Sequence, residues 1–125
     1  IANGGYLVTP HLNAAAPHLE RDLRIPKFGL RAMQRGLEEV VNSGTGKRAA
    51  AYGVTVAGKT GTAQNPHGDD HAWFVGYAPR ENPRYVAVAI VEAGRHGSSA
   101  AAPIVGQVLA YLVKNDNSLL RRVSP

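Results

Sequence analysis

The sequence lacks several features that would place it in other classes of protein. It contains no cysteine, which excludes a disulfide framework and a thiolate metal site. No apolar run reaches the roughly 18 residues of a membrane-spanning helix. There is no initiator methionine and no charged segment typical of a signal peptide before Ile1, so we expect the chain to be cut from a longer polypeptide. Its 125 residues, 44% hydrophobic, predict one modest globular unit.

The chain has few acidic residues for its length. Fourteen lysines and arginines against nine aspartates and glutamates give a formal net charge of +5. The basic residues are dispersed along the chain, and no known nucleic-acid-binding module accompanies them. We therefore expect no nucleic-acid partner, whereas a basic surface that faces an anionic membrane or cell wall is compatible with the charge.

Hydrophobic periodicity predicts an α+β fold. Apolar residues at helical spacing predict an amphipathic helix over residues 28–41 and a second helix over residues 100–113. Between them, three strands are predicted at about 55–63, 72–78 and 84–92, and the short turn-rich connections favour an antiparallel meander. The nearly continuous apolar run 85–91 predicts a strand inside the sheet, and the second helix is expected to pack on the sheet through Ile104, Val105, Val108, Leu109 and Leu112. We assign residues 1–114 to one domain portion and expect residues 115–125 to form a mobile tail.

The run Lys59-Thr60-Gly61-Thr62 carries the clearest chemical signal. It places an ammonium group and two hydroxyls on one short extended segment, a combination suited to binding a carboxylate. Gly58 and Gly61 remove side chains where a ligand or another backbone could come close.

The same residues also satisfy the P-loop pattern, because residues 53–60 read Gly, four residues, Gly-Lys-Thr. A working P-loop follows a buried strand and opens a helix at its Ser or Thr. Here the loop is β-branched, and Gly61, Asn65 and Pro66 obstruct a helix. Nucleotide binding is thus a distant alternative.

Four further segments lie before and after this run along the chain. They are residues 1–11, the linker 41–46 (Val41-Asn42-Ser43-Gly44-Thr45-Gly46), Glu92-Ala93-Gly94, and Ala100-Ala101-Ala102-Pro103. Together with the Lys-Thr-Gly motif they resemble the penicillin-binding protein transpeptidase family, in which this motif lies on the strand that borders the active-site cleft. The likeness is greatest to the class B enzymes of cell elongation, with the division-specific class B enzymes next. It implies the C-terminal portion of the penicillin-binding protein and serine β-lactamase-like fold, an antiparallel sheet flanked by helices.

The resemblance implies roles for the motif residues. Lys59 supplies positive charge and supports catalysis, the hydroxyls of Thr60 and Thr62 bind the substrate's terminal carboxylate, and Gly61 lets the acyl chain run beside the strand. The backbone N–H of Thr62 would be an oxyanion donor. The nucleophile motif Ser-x-x-Lys and the Ser-x-Asn motif occur nowhere in the chain, so we expect these residues alone to be inactive.

The implied activity is peptidoglycan D,D-transpeptidation through a serine acyl-enzyme, with no cofactor. The implied partners are peptidoglycan stem peptides, β-lactams, the upstream part of the same protein and the cell-elongation machinery. The site would lie on the extracytoplasmic face of a bacterial envelope, with the parent protein anchored to the membrane by a segment N-terminal to this chain. A catalytically inactive module that binds muropeptides or a cell-wall protein is the alternative.

One loop contains enough potential ligands to raise the question of a metal. His67, Asp69, Asp70 and His71 lie between two predicted strands, but turn chemistry explains the loop without an ion. We therefore expect no metal, and a local structural hydrogen bond for His71.

Overall fold

The computed structural model describes residues 1–12, 19–50 and 52–116, so the predicted tail beyond Asp116 lies outside the described residues. In chain order the elements are strands β1 (Tyr6–Val8) and β2 (Leu19–Asp22), helix α1 (Lys27–Asn42), a 3-10 helix (Lys47–Ala50), strands β3 (Ala57–Ala63), β4 (His71–Ala78) and β5 (Tyr85–Val91), and helix α2 (Ala101–Lys114). The predicted helix, three strands and helix are confirmed, with boundaries within about two residues.

The three main strands form the predicted antiparallel meander in the order β3-β4-β5. Lys59 is paired with Val75, and Val75 is paired in turn with Val88 on β5. Among the described residues β5 is an outer strand of this sheet, so the interior position predicted for residues 85–91 requires a further strand beside β5 and stays a prediction. One of its faces remains open to solvent, since Val86, Val88 and Ile90 are 50 to 63% exposed.

Helix α2 covers the opposite face of the sheet, but it is rotated from the predicted orientation. Val105 and Leu109 are buried as expected, whereas Ile104 and Val108 are more than 40% exposed. Small residues explain the rotation, because alanines at 101, 102 and 110 also face the core. A Cβ atom on Gly106 would lie 2.5 Å from the carbonyl oxygen of Ala49, so the helix approaches the 3-10 helix closely along a line that larger side chains could not occupy.

Helix α1 packs against β3, the strand that carries the Lys-Thr-Gly motif. It begins after Pro26 and ends in a tight turn, where the N–H groups of Gly44 and Gly46 donate to the carbonyls of Glu39 (2.8 Å) and Val40 (2.7 Å). Val41 is the only residue of this helix that is fully buried. The amphipathic face predicted for α1 is therefore only half covered among the described residues.

The hairpin of β1 and β2 and the 3-10 helix were not predicted. Asn3 initiates the hairpin, since its Oδ1 accepts hydrogen bonds from the N–H groups of Gly5 and Tyr6, while Gly4 and Gly5 have φ values of 88° and 93°. Strand β1 has only three residues, all exposed, so no alternation of polar and apolar residues marks it in the sequence.

Phe74 is the packing centre beneath the motif strand. It is fully buried on β4, opposite Thr60. Its ring is bounded by two glycines, because a Cβ atom on Gly58 would lie 2.7 Å from its Cζ and one on Gly46 would lie 3.0 Å from its Cε2. These glycines allow the end of α1 and strand β3 to close over one aromatic ring.

We expect Gly58→Ala to lower the stability of the folded protein by roughly 1 to 3 kcal/mol, the usual cost of overpacking. The added methyl group would also lie 2.5 Å from the carbonyl oxygen of Val75, which is backbone and cannot rotate away. Gly36→Ala is the matched control, because its Cβ would meet nothing within 4 Å and alanine favours a helix by about 1 kcal/mol. In thermal unfolding, Gly58→Ala should lower the melting temperature relative to wild type and Gly36→Ala should raise it. Equal melting temperatures of the two variants would contradict this packing.

Candidate active site

Strand β3 offers one free edge. It pairs with β4 along its whole length, from Ala57 opposite Tyr77 to Ala63 opposite His71. Among the described residues, no strand pairs with its other edge. An edge of this kind presents unpaired backbone groups to which an extended peptide can bind as an additional strand.

Lys59 and its neighbours alternate across the strand. Because successive side chains point to opposite faces, Lys59 and Gly61 share the face away from α2, and Thr60 and Thr62 share the other. The Lys59 side chain is exposed, and its Nζ donates to the carbonyl oxygen of Thr60 at 2.9 Å. The ammonium group therefore lies beside the backbone of the motif, accessible to an anion.

Thr60 is in contact with Thr45, a residue for which no role was predicted. Its Oγ1 lies 2.7 Å from the Oγ1 of Thr45, in the turn after α1. Thr45 lies in the linker 41–46 and between two glycines, which was the only signal that could have identified it. The contact brings a third hydroxyl, from outside the motif, next to that of Thr60.

Gly61 and Thr62 are the remaining two residues of the motif. A Cβ atom on Gly61 would lie 3.2 Å from the Cβ of Trp73 on β4, so a side chain here would be crowded. Thr62 lies opposite Ala72 and is exposed. The four motif residues are thus placed together on one accessible segment, as predicted from their adjacency in the sequence.

The loops at the end of β3 are linked by polar contacts. Arg95 Nε forms an ion pair with Asp69 (3.1 Å), and the Arg95 N–H donates to the carbonyl of Asp70 (2.8 Å). His71 Nδ1 accepts a hydrogen bond from the N–H of Ala93 (3.1 Å), which confirms its predicted local role. Asp69, Asp70 and Arg95 line an open cleft of about 410 Å³, together with Gly68 and His96. Within the described residues, no group of three or more His, Asp or Glu side chains is arranged to hold a metal ion.

A second, apolar cleft of about 320 Å³ lies between the start of the chain, α1 and the sheet. Its lining includes Ile1, Leu37, Val75, Tyr77 and Val86. Burial, together with the negative charge of nearby Glu38, raises the pKa of Tyr77 above its ordinary value. No lysine, arginine or histidine is among the residues that line this cleft.

The P-loop alternative is contradicted by the structure. Gly58, Lys59 and Thr60 lie within β3, and no helix begins at Thr60. A strand at this position cannot wrap a phosphate group with successive backbone amides as a P-loop does.

Comparison with known proteins agrees with this geometry. Residues 1–110 match the family model described as the penicillin binding protein transpeptidase domain. The peptidoglycan D,D-transpeptidase MrdA of Haemophilus influenzae is 39% identical over 140 aligned residues, which cover 89% of this chain and 22% of that protein. The chain therefore spans about a fifth of the length of this curated relative.

Two solved structures extend the comparison. Penicillin-binding protein 2 (PBP2) of Helicobacter pylori, in its complex with MreC, is 31% identical with a TM-score of 0.72 and covers 90% of this chain and 22% of its own. Penicillin-binding protein A of Mycobacterium tuberculosis, as an imipenem acyl-enzyme complex, is 26% identical with a TM-score of 0.66 and covers 89% of this chain and 28% of its own. The predicted fold, the C-terminal portion of this transpeptidase fold, is confirmed.

No helix among the described residues is long and apolar enough to span a membrane.

Proposed function

Since this chain belongs to the penicillin-binding protein transpeptidase family, we propose that it supplies the carboxylate-binding and oxyanion-binding strand of a peptidoglycan D,D-transpeptidase. The observation that carries the proposal is the placement of Lys59, Thr60 and Thr62 on the free edge strand of the sheet. We use the term full-length enzyme for the polypeptide that joins these 125 residues to a part bearing the serine nucleophile.

Substrate binding follows from the chemistry of β3. A stem peptide that ends in D-Ala-D-Ala carries a terminal carboxylate, and the exposed Lys59 ammonium attracts it. A carboxylate at the free edge of β3 lies between the two faces of the strand, so Lys59 reaches it from one face and the hydroxyls of Thr60 and Thr62 donate to it from the other. Hydrogen bonds to a charged acceptor are stronger than neutral ones. A β-lactam places its own acid group in the same site. Gly61 leaves room for the acyl chain along the strand.

The chemical step is acyl transfer. The serine hydroxyl of the full-length enzyme attacks the penultimate D-Ala carbonyl, and the tetrahedral intermediate places its oxyanion against the N–H of Thr62. Collapse breaks the peptide bond, the terminal D-Ala leaves as an amine after gaining a proton, and a serine ester remains. An amine of a neighbouring stem peptide then attacks this ester, which forms the cross-link and frees the serine.

The relatives favour a role in cell elongation on the extracytoplasmic face of the envelope. The Haemophilus relative is an MrdA transpeptidase, and the Helicobacter relative is a PBP2 solved with MreC. We accordingly propose an MreC-like cell-wall protein as a partner of the full-length enzyme and a membrane anchor outside this chain.

A catalytically inactive module that binds muropeptides is the second candidate. These 125 residues span about a fifth of the length of a curated relative, so the absence of both serine motifs from them is equally compatible with this module and with the enzyme. The full-length sequence distinguishes the two, because an enzyme requires a Ser-x-x-Lys and a Ser-x-Asn motif elsewhere in the polypeptide.

We expect the 125-residue chain alone to resist covalent labelling by a fluorescent penicillin, whereas the full-length enzyme is labelled at an upstream serine. The reason is that β3 supplies recognition groups but no nucleophile. Gel fluorescence and intact mass measure the labelling, and prior incubation with unlabelled penicillin serves as the competition control. Stoichiometric labelling of the 125-residue chain would contradict the assignment of the nucleophile, and an unlabelled full-length protein with both serine motifs would favour the inactive module.

A further inference from the structure

The hydroxyls of Thr45 and Thr60 form a pair within the proposed carboxylate site. The two Oγ1 atoms are 2.7 Å apart, the ordinary separation of an O–H···O hydrogen bond, and either atom could be the donor. Fifteen positions separate the residues in sequence, so the contact depends on the tertiary fold.

The position of Thr45 is fixed from both sides. The N–H groups of Gly44 and Gly46 bond to carbonyls in the last turn of α1, at 2.8 and 2.7 Å. Gly46 also lies against the Phe74 ring, which in turn lies under Gly58 of β3. The same packing that closes α1 onto the sheet therefore brings Thr45 to Thr60.

The direction of this hydrogen bond decides what Thr60 can do. A hydroxyl has one proton, so a Thr60 that donates to Thr45 has none left for a ligand. A carboxylate only accepts hydrogen bonds, and it therefore requires Thr60 to donate outward while Thr45 donates to Thr60. A chain of hydroxyls in this order also strengthens each successive bond.

We propose that Thr45 is a positioning residue that orients the Thr60 proton toward a bound carboxylate. The inference rests on the proposed function, and it assigns substrate selectivity to a residue outside the Lys-Thr-Gly motif. Thr45 itself touches no reacting atom.

The test compares two ligands on the full-length enzyme. One is benzylpenicillin, and the other is its analogue with the carboxylate reduced to a hydroxymethyl group. The hydroxymethyl group both donates and accepts, so it can bind Thr60 whichever way the Thr60 proton points. Second-order acylation rates are measured for wild type, Thr45→Val, Thr45→Ser, Thr60→Val and the double valine variant. Thr55→Val is the control, because it loses a hydrogen bond to Glu81 (2.6 Å) before β3 begins.

We expect Thr45→Val to slow acylation by benzylpenicillin roughly three- to tenfold, the range for one hydrogen bond, and to leave the rate with the alcohol within about twofold. Thr45→Ser should restore the rate with benzylpenicillin, and Thr45→Val should add nothing in the Thr60→Val background. The role of Thr45 would be overturned, and the proposed function left standing, by any of three results. These are equal rate losses with both ligands, no rescue of the rate by Thr45→Ser, or additive rate losses in the double valine variant. A folded wild type with both serine motifs that no penicillin acylates would overturn the proposed function together with this inference.

Discussion

Lys59→Ala is expected to lower the second-order rate of acylation of the full-length enzyme by penicillin by about one to two orders of magnitude. A hydrogen bond to a charged group contributes roughly 1.5 to 3 kcal/mol, and the variant loses both the charge and the bond at the ligand carboxylate. The sheet should stay intact, because Lys59 is exposed and its Nζ bonds only to the neighbouring Thr60 carbonyl among the described contacts.

The control for this experiment is Lys27→Ala, which removes an equal charge from the exposed start of α1. Its rate should match wild type, and circular dichroism should be the same for both variants. Lys59→Arg keeps the charge but replaces a compact ammonium group by a planar guanidinium group. Its acylation rate is therefore expected to fall between those of Lys59→Ala and Lys27→Ala. A well-folded Lys59→Ala enzyme with an unchanged acylation rate would remove the chemical reason for placing the motif in the active site.

The main elements were predictable because each has its own local signal. Helix α1 has apolar residues at helical spacing and a proline at its start, and strands β4 and β5 are short apolar runs between turn residues. The signal for β3 is the β-branched run 54–56 just before it. The order of these elements also fixed the antiparallel meander, because the connections are too short for a crossover. The placement of Lys59, Thr60 and Thr62 on a strand followed from the same patterns, whereas the position of that strand beside a cleft was implied by the family resemblance.

Features that depend on tertiary contacts could not be read from the sequence. The rotation of α2 arises from its close approach to Ala49 at Gly106, which no helical periodicity encodes. The Thr45 to Thr60 contact requires Phe74 to bring the end of α1 to β3. The outer position of β5 among the described residues is a property of the whole sheet, since a continuous apolar run is the pattern of an interior strand.

Strand β3 combines two demands that explain its unusual composition. Gly58 leaves space for the Phe74 ring on one face of the strand, and Gly61 allows a close approach to Trp73 on the other. The polar residues of the strand are the ones that we assign to the ligand. A strand of seven residues with two glycines has low intrinsic β-propensity, so its conformation depends on pairing with β4 and on the packing of α1. Substitutions in β3 therefore require a folding control whenever activity is measured.

The most severe single substitution in the motif should be Thr62→Pro. Proline removes the backbone N–H that we assign to the oxyanion site and also restrains the strand. Loss of one oxyanion donor costs about 2.7 to 4 kcal/mol, or roughly a hundred- to a thousandfold in rate. Thr62→Val is the matched comparison, because it loses the hydroxyl but keeps the N–H, and we expect a milder effect.

A backbone ester at position 62 separates the two effects of proline. The hydroxy-acid analogue of threonine replaces Thr62, which removes the N–H but leaves φ free. We expect the ester variant to acylate nearly as slowly as Thr62→Pro, with a melting temperature closer to that of Thr62→Val. Acylation rates and thermal unfolding of the full-length enzyme measure both effects. If the ester variant acylates as fast as Thr62→Val, the oxyanion donor is a different group and the severity of Thr62→Pro comes from the strand alone.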